Sequence, residues 1–311
     1  MGTEREKWVD IARGFTIYLM VLGHCIQFAT PIDYDYKENM IFCLIYGFHM
    51  PMFMIISGYL FWYTLNRYSL WKGIIAKLKG VMIPCAVWGF VTYLCEIIVL
   101  GYDEKSLWGY LNSTIYSNWF LWAVFYCSLY GFITKYVFHN HLLGYGILIF
   151  INFIMPDIGN YSGTRRMLPF FLLGMLLNRY KIFNKIKEKD ETIIILTLGI
   201  CYLITLKLHW IELITGTIGS ACVILFFYHF SRRFTMIVLQ KLGQVSISIY
   251  LFTGLVFWFW IKDYCRISES YRYLIKSSYV LGLSLGLTLA AFCLSKLFQK
   301  NRIVSRLFMG R

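Results

Sequence analysis

The chain has 311 residues, of which 59% are hydrophobic and only 15% charged, and its mean hydropathy is +0.60. Soluble proteins are about 45–50% apolar and about 25% charged, and a single core cannot bury this much apolar surface. These values exclude a soluble domain, a disordered or collagen-like chain and a disulfide scaffold. They predict an all-α, polytopic integral membrane protein that lies in a lipid bilayer.

The net charge of +14 does not indicate a nucleic-acid partner. Basic residues cluster in short segments between apolar runs, where the positive-inside rule expects the cytoplasmic side. The nine cysteines form no CxxC pair and mostly lie in apolar segments, so we expect neither a metal site nor a disulfide framework. The first apolar run contains Arg13 and His24 and lacks a small-x-small cleavage site, so we expect it to be retained.

About 20 apolar residues cross a bilayer, and about ten segments of the chain fit that length. The predicted spans are 9–29, 42–64, 80–100, 118–137, 142–156, 166–179, 192–208, 211–230, 244–261 and 274–298. The fifth and sixth are short, and a tilted, bent or partly re-entrant course stays open for them. With both termini in the cytoplasm, inside basic residues outnumber outside ones by roughly two to one. Gly282 and Gly286 in the last span predict a helix-packing contact.

The first predicted span contains ionisable residues, which are costly in a bilayer unless they are paired or solvated. Asp10 and Arg13 are three residues apart, so they share a helix face and can form an ion pair. His24 follows Arg13 by eleven residues, about three turns and about 16 Å of helix, so both point the same way. This spacing suits a site that holds a charged ligand at its mouth and performs chemistry deeper in. The alternatives are an arginine that snorkels to the headgroups and a hydrogen-bonded core histidine.

The second predicted span contains His49 two residues before Pro51, with Ser57 two turns further on. A proline removes a hydrogen-bond donor and opens the helix, which frees backbone carbonyls. We expect His49 to line the same cavity as His24, and histidine is the natural general base at neutral pH. The alternative is that His49 caps a distorted helix.

Three further residues are candidates for binding. Trp119 opens the fourth predicted span within the segment NWFLW, where an aromatic belt at the membrane interface is the alternative. Arg165 and Arg166 fall near the outer end of the sixth span, against the positive-inside trend. They are suited to a phosphate or an acidic sugar, and a plain surface pair is the alternative.

At these residues the sequence resembles the acyltransferase-3 family of integral membrane acyltransferases. Arg13 and His24, in VDIARGFTIYLMVLGH, match the family's Arg-x10-His motif. FHMPMFMIISGYLF is similar to its second-span pattern, particularly in the fucose 4-O-acetylase-like branch. The segments NWFLWAVF, MLPFFLLG and LGQVSISIYLF are similar to later motifs. The resemblance runs through about residues 5 to 295, and five blocks in order make it specific.

The resemblance implies one transmembrane acyltransferase domain over 1–311 with ten core helices in the inner (plasma) membrane. It implies transfer of an acyl group, usually acetyl from cytoplasmic acetyl-CoA, to a hydroxyl of a cell-surface or lipid-linked glycan. Arg13 and His24 match the essential motif residues, Asp10 the acidic residue that often precedes them, and His49 the second-span histidine. Thr253 stands where many members have a histidine, which puts a role for that position in doubt.

In this chemistry His24 deprotonates a sugar hydroxyl for attack on the thioester, directly or through an acyl-enzyme. Arg13 holds a phosphate of CoA or fixes the thioester arm, and no metal is expected. The residues expected to bind the acceptor are His49, Ser57, Trp119, Arg165 and Arg166. The rival function is a transporter of a glycan or acyl group, although residues 1–155 and 156–311 show no inverted repeat. A scaffold subunit is the third alternative, which the Arg13 and His24 stripe disfavours.

Overall fold

The computed structural model describes residues 6–29, 35–101, 106–138, 141–157, 161–257 and 273–310. Within them no residue lies in a β-strand, which confirms the predicted all-α class. The α-helices are α1 (Lys7–Ala29), α2 (Met40–Tyr46), α3 (His49–Arg67), α4 (Leu70–Lys77), α5 (Ile83–Leu100), α6 (Leu107–Ser117), α7 (Trp119–Val137), α8 (His141–Ile154), α9 (Ser162–Arg179), α10 (Ile182–Lys185), α11 (Glu188–Lys207), α12 (Glu212–Phe230), α13 (Ile237–Gln244), α14 (Ser246–Val256), α15 (Tyr273–Gln299) and α16 (Arg302–Met309).

Six helical segments of the described chain are long and apolar enough to cross a membrane. They are Lys7–Ala29, Met40–Arg67, Leu70–Val99, Trp119–Val137, Glu212–Phe230 and Ser277–Gln299. Two shorter apolar helical stretches are Leu143–Ile154 and Ser246–Val256. The predicted spans 166–179 and 192–208 are helical but are not among the six, and 258–261 lie outside the described residues. The count of about ten spans and the cytoplasmic termini stay predictions.

Local sequence sets several helix ends. The side chain of Asn39 accepts a 3.0 Å hydrogen bond from the backbone N–H of Phe42 and so begins α2. Gly101 ends α5 with a φ of 68°, a left-handed conformation that glycine adopts without a Cβ penalty. Pro84 lies in the first turn of α5 and has no N–H to donate to the preceding turn. The π-helical turn Leu78–Met82 widens the backbone at that point.

The described chain divides into two compact units, the first within Met1–Phe53 and Ile182–Lys296. Its central helix is α1, which packs against α2, α12, α13 and α14. A Cβ at Gly14 would lie 1.8 Å from the carbonyl oxygen of Leu239, and one at Gly243 would lie 1.8 Å from that of Asp10. Neither position has room for a side chain, so α1 and α13 touch through their backbones.

The predicted contact at Gly282 and Gly286 is wrong within the described chain. A Cβ at either glycine would meet no described atom within 4 Å. Leu281 and Leu285 on the same helix are about half exposed. In a membrane protein an apolar, open face of this kind suits contact with lipid.

The second unit contains Met54–Lys181 and Leu297–Arg311. Its α9 packs closely on α3 through glycines on both helices. A Cβ at Gly58 of α3 would lie 1.9 Å from the carbonyl oxygen of Phe171. A Cβ at Gly174 of α9 would lie 1.9 Å from the carbonyl oxygen of Ile55. Asn178, four residues after Gly174, donates a 2.7 Å hydrogen bond to the carbonyl of Tyr59, four residues after Ile55. The two helices therefore run in the same direction.

Helix α7 runs in this direction too. A Cβ at Gly131 would lie 2.4 Å from the ring of Phe61, and one turn later Nζ of Lys135 donates to the carbonyl of Leu65. The carboxyl ends of α3, α7 and α9 consequently lie at the same end of this unit. Successive spans of a membrane protein cross the bilayer in opposite directions. The second, fourth and sixth predicted spans, which correspond to α3, α7 and α9, are therefore expected to run in the same direction, as they do.

Candidate active site

Helices α1 and α14 lie side by side and run in the same direction. Nη2 of Arg13 donates a 2.7 Å hydrogen bond to Oγ of Ser246, the first residue of α14. The ring of His24 lies 5.3 Å from the ring of Phe257, which follows the last residue of α14. The two contacts are eleven residues apart in both helices, about 16 Å of rise. Arg13 and His24 therefore lie along one seam between two helices.

The start of this seam depends on the close approach of α13. Because Gly14 and Gly243 have no side chains, α13 lies on the first turns of α1 and ends beside Arg13. The next helix begins at Ser246, which places its hydroxyl at the guanidinium. Asp10, only 2% exposed, lies in the first turn of α1, where a carboxylate is favoured by the helix dipole.

Aromatic rings and two polar side chains surround His24, which is half-buried. The ring of Phe28 is stacked on it at 5.7 Å, and Phe257 is tilted against it. Nδ1 of His24 lies 3.2 Å from the hydroxyl of Tyr46 and 3.4 Å from Oε1 of Gln27. The imidazole is thus held by rings on its faces and by polar groups on one nitrogen.

Tyr46, the last residue of α2, contacts both histidines. Its ring is stacked on that of Phe42 at 3.8 Å and lies 4.5 Å from the ring of His49. A Cβ at Gly23 would lie 2.5 Å from the ring of Tyr46, so only glycine lets the ring lie this close to α1. Tyr46 therefore joins His24 and His49 within one group of side chains.

The second predicted span is interrupted directly before His49, in agreement with the expected effect of Pro51. Helix α2 ends at Tyr46 and α3 begins at His49. Three backbone carbonyls at the break accept side-chain hydrogen bonds: Ile45 from Nδ1 of His49 at 3.0 Å, Leu44 from the hydroxyl of Tyr202 at 2.6 Å, and Phe48 from Oγ of Ser220 at 3.2 Å. Because His49 donates from Nδ1, its Nε2 carries the lone pair when the ring is neutral.

The other expected binding residues belong to the second unit. Ser57 is half-buried in α3. Trp119 is the first residue of α7, and a Cβ at Gly163 would lie 2.6 Å from its ring. The indole of Trp119 also makes an edge contact with Phe120 at 5.9 Å. These contacts give Trp119 a packing role between α7 and α9.

The two adjacent arginines differ in their surroundings. Nη2 of Arg165 donates to the carbonyl of Met155, just beyond the end of α8, and Asn152 donates a 3.2 Å hydrogen bond to the carbonyl of Arg165. Arg165 is therefore tied to the connection between α8 and α9. Arg166 is exposed.

Sequence reasoning missed Gln27, Tyr46 and Ser246. Gln27 follows His24 by three residues, a spacing at which helical side chains meet, so the pattern contained a signal for it. Ser246 lies 233 residues from Arg13, and Tyr46 reaches His24 from a short separate helix. Neither contact has a local signature. The described residues contain no group of three or more side chains arranged to hold a metal ion.

The acyltransferase-3 family model, described as an acyltransferase domain, matches residues 6–297. The chain belongs to this family. The match covers Arg13, His24 and His49 and nearly all of both structural units, so the sequence resemblance is confirmed. The apolar helices described above indicate that this member of the acyltransferase-3 family is a multi-pass membrane protein.

Two curated relatives bear the name Nodulation protein NolL. The protein from Sinorhizobium fredii (strain NBRC 101917 / NGR234) is 30% identical over 183 residues, which cover 56% of this chain and 49% of the relative. The protein from Mesorhizobium japonicum (strain LMG 29417 / CECT 9101 / MAFF 303099) is 24% identical over an alignment that covers 98% of this chain and 90% of the relative. The first match thus spans about half of that relative's length. No solved structure matches the chain significantly.

Proposed function

We propose that this protein is an inner-membrane O-acyltransferase that moves an acetyl group from cytoplasmic acetyl-CoA to a hydroxyl of a cell-surface or lipid-linked glycan. The observation that carries the proposal is the seam between α1 and α14. It holds a cation, Arg13, about 16 Å along the helix from an imidazole, His24, within a chain of an acyltransferase family.

His24 is the general base in this proposal. When Nδ1 carries the ring proton, it can donate to Oε1 of Gln27 or to the hydroxyl oxygen of Tyr46. Nε2 then has a free lone pair and can accept a proton. The stacked ring of Phe28 and the tilted ring of Phe257 restrict rotation of the imidazole, which keeps this nitrogen in one direction.

The transfer step balances without a further reactant. Nε2 of His24 accepts the proton of the acceptor hydroxyl while the hydroxyl oxygen attacks the carbonyl carbon of the thioester. A carbon–oxygen bond forms and the carbon–sulfur bond breaks. The proton then passes from His24 to the departing thiolate. The products are an O-acetyl ester and CoA with a free thiol.

Arg13 orients the donor in this proposal. CoA carries several phosphate charges, and an arginine binds phosphate through two parallel N–H donors. The hydrogen bond to Ser246 uses Nη2 and fixes the direction of the guanidinium. The buried carboxylate of Asp10, one turn earlier in α1, adds a negative charge that helps to keep an arginine in the membrane.

The acceptor binds through His49, Ser57, Trp119, Arg165 and Arg166 in this proposal. His49 acts by holding Tyr46 against His24, since the rings of Tyr46 and His49 are 4.5 Å apart. Of the two arginines, Arg166 is the exposed one, and in this proposal it contacts the acceptor directly.

Label transfer tests the proposed substrates. Purified protein in detergent is incubated with acetyl-CoA labelled on the acetyl group and with glycan extract from the native envelope. We expect label to enter the glycan fraction and CoA thiol to appear in equal amount. Label that stays on CoA, with protein that is folded and monodisperse, would refute an acetyl-CoA-dependent transferase.

A further inference from the structure

Arg179, the last residue of α9, lies between two aromatic rings. Its Cζ is 5.8 Å from the ring centre of Trp62 and 5.5 Å from that of Tyr180. Nη1 of Arg179 is buried and has no hydrogen-bond partner in the described chain. Buried polar atoms are nearly always hydrogen-bonded, so this guanidinium nitrogen is expected to donate to a group outside the described chain.

Two lysines from other helices lie against the same last turns of α3. Nζ of Lys135 in α7 donates to the carbonyl of Leu65. Nζ of Lys77 in α4 lies 5.1 Å from the ring centre of Phe61, next to Trp62 in the chain. Cations from α4, α7 and α9 therefore surround residues 61–65 of α3, a stretch about 6 Å long.

The described acidic side chains of this unit lie elsewhere. Asp157 accepts a 2.7 Å hydrogen bond from the backbone N–H of Ser162, at the start of α9 and about 25 Å of helix from Arg179. Glu96 follows Lys77 by nineteen residues, near the far end of α5. The helix dipoles at the carboxyl ends of α3, α7 and α9 favour cations here. The dipoles do not supply a hydrogen-bond acceptor for Nη1 of Arg179, which has none in the described chain.

We propose that the basic side chains gathered at the carboxyl ends of α3, α7 and α9 bind a phosphate group, with Arg179 as its main ligand. The guanidinium fork matches two phosphate oxygens, and the two aromatic rings hold its plane by cation–π contact. Lys77 and Lys135 add positive charge at the same end. The phosphate comes either from the nucleotide end of an acyl-CoA donor or from an anionic phospholipid. The first of these sources rests on the function proposed above.

Binding measurements with two probes test the site and distinguish the sources. The full-length protein in neutral detergent is titrated calorimetrically with adenosine 3′,5′-bisphosphate, which contains the phosphates of a CoA end but no thioester. In parallel, its thermal unfolding is followed in nanodiscs of phosphatidylcholine with and without phosphatidylglycerol. The variants are Arg179→Gln, Arg179→Lys and, as a control, Lys207→Gln, since Lys207 is an exposed cation at the end of α11 in the first unit.

For the source that binds, we expect Arg179→Gln to weaken the response at least tenfold, Arg179→Lys to retain part of it, and Lys207→Gln to change it less than twofold. Loss of nucleotide binding assigns the site to the donor, and loss of the phosphatidylglycerol effect assigns it to lipid. Wild-type responses to both probes in folded Arg179→Lys and Arg179→Gln would overturn the proposal. Neither probe contains a thioester, and both readouts measure binding without transfer, so this result is independent of whether His24 catalyses transfer.

Discussion

The hydroxyl of Tyr46 lies 3.2 Å from Nδ1 of His24, while its ring lies 4.5 Å from that of His49. Tyr46 can take this position because α2 ends there, and side chains donate to carbonyls at the break in addition to the backbone, as Nδ1 of His49 does to the carbonyl of Ile45. The interruption of the second span thus has a direct consequence for the proposed base.

Replacing Tyr46 with phenylalanine separates the two roles of this residue. Tyr46→Phe keeps the stacking on Phe42 and the fit against Gly23 but removes the hydroxyl beside His24. We expect kcat to fall about fivefold, corresponding to about 1 kcal/mol for one hydrogen bond, with little change in thermal stability. Steady-state kinetics and thermal unfolding in detergent check this. Equal kcat in Tyr46→Phe and wild type would exclude a role for the hydroxyl.

The seam itself is tested at the backbone contact of α1 and α13. Gly14→Ala places a Cβ 1.8 Å from the carbonyl oxygen of Leu239, so the helices must separate. We expect a loss of about 1–3 kcal/mol of stability, together with reduced activity, because α13 leads directly to Ser246. Gly254→Ala in α14 is the control, since a Cβ there meets no described atom within 4 Å. Equal thermal unfolding of the two variants would contradict the close packing.

Two buried serines of α14 provide a matched pair for the role of Arg13. Ser246 and Ser248 are both 3% exposed, but only Ser246 bonds to Arg13, while Oγ of Ser248 has no hydrogen-bond partner among the described residues. We expect Ser246→Ala to raise the KM for the donor several-fold, because the guanidinium loses its fixed direction. Ser248→Ala should leave KM unchanged. A similar KM for both variants would count against Arg13 as the residue that orients the donor.

Much of the helical framework follows from the apolar runs alone, because twenty apolar residues in a bilayer leave few alternatives to a helix. The first predicted span, 9–29, agrees closely with Lys7–Ala29, and the break before His49 follows from Pro51. The partners of the site were less accessible to sequence analysis. The contact at Ser246 depends on two glycines that let α13 approach α1, whereas a Cβ at Gly282 or Gly286 would meet no described atom within 4 Å. Glycine spacing alone does not say which helix face is covered.

A cluster around the buried Glu191 in the first unit gives a test of stability away from the seam. Glu191 of α11 is 1% exposed and bonds to Nδ1 of His229 at 2.5 Å and to Arg232. Arg232 is 42% exposed and is solvated without Glu191, whereas the buried His229 loses its hydrogen-bond partner, so Glu191→Ala should cost about 1–3 kcal/mol. Thermal unfolding in detergent measures this.

The control is Glu188→Ala, one turn earlier in α11. Glu188 is exposed and pairs with Arg233 at 3.0 Å. The hydrogen bond from Arg233 holds the pKa of the Glu188 carboxyl below its ordinary value, yet exposed pairs are screened by water and contribute little. We expect its unfolding temperature to stay close to that of wild type. A larger loss in Glu188→Ala than in Glu191→Ala would contradict the burial of the cluster.

The most direct test of the central claim is CoA thiol release from acetyl-CoA by purified wild type, His24→Gln and His209→Gln. His209 is an exposed histidine and serves as the control. With glycan extract present, we predict that His24→Gln releases CoA at least about 100-fold more slowly, the usual effect of losing a general base. His209→Gln should match wild type. Release by folded His24→Gln at the wild-type rate would show that His24 is not the base.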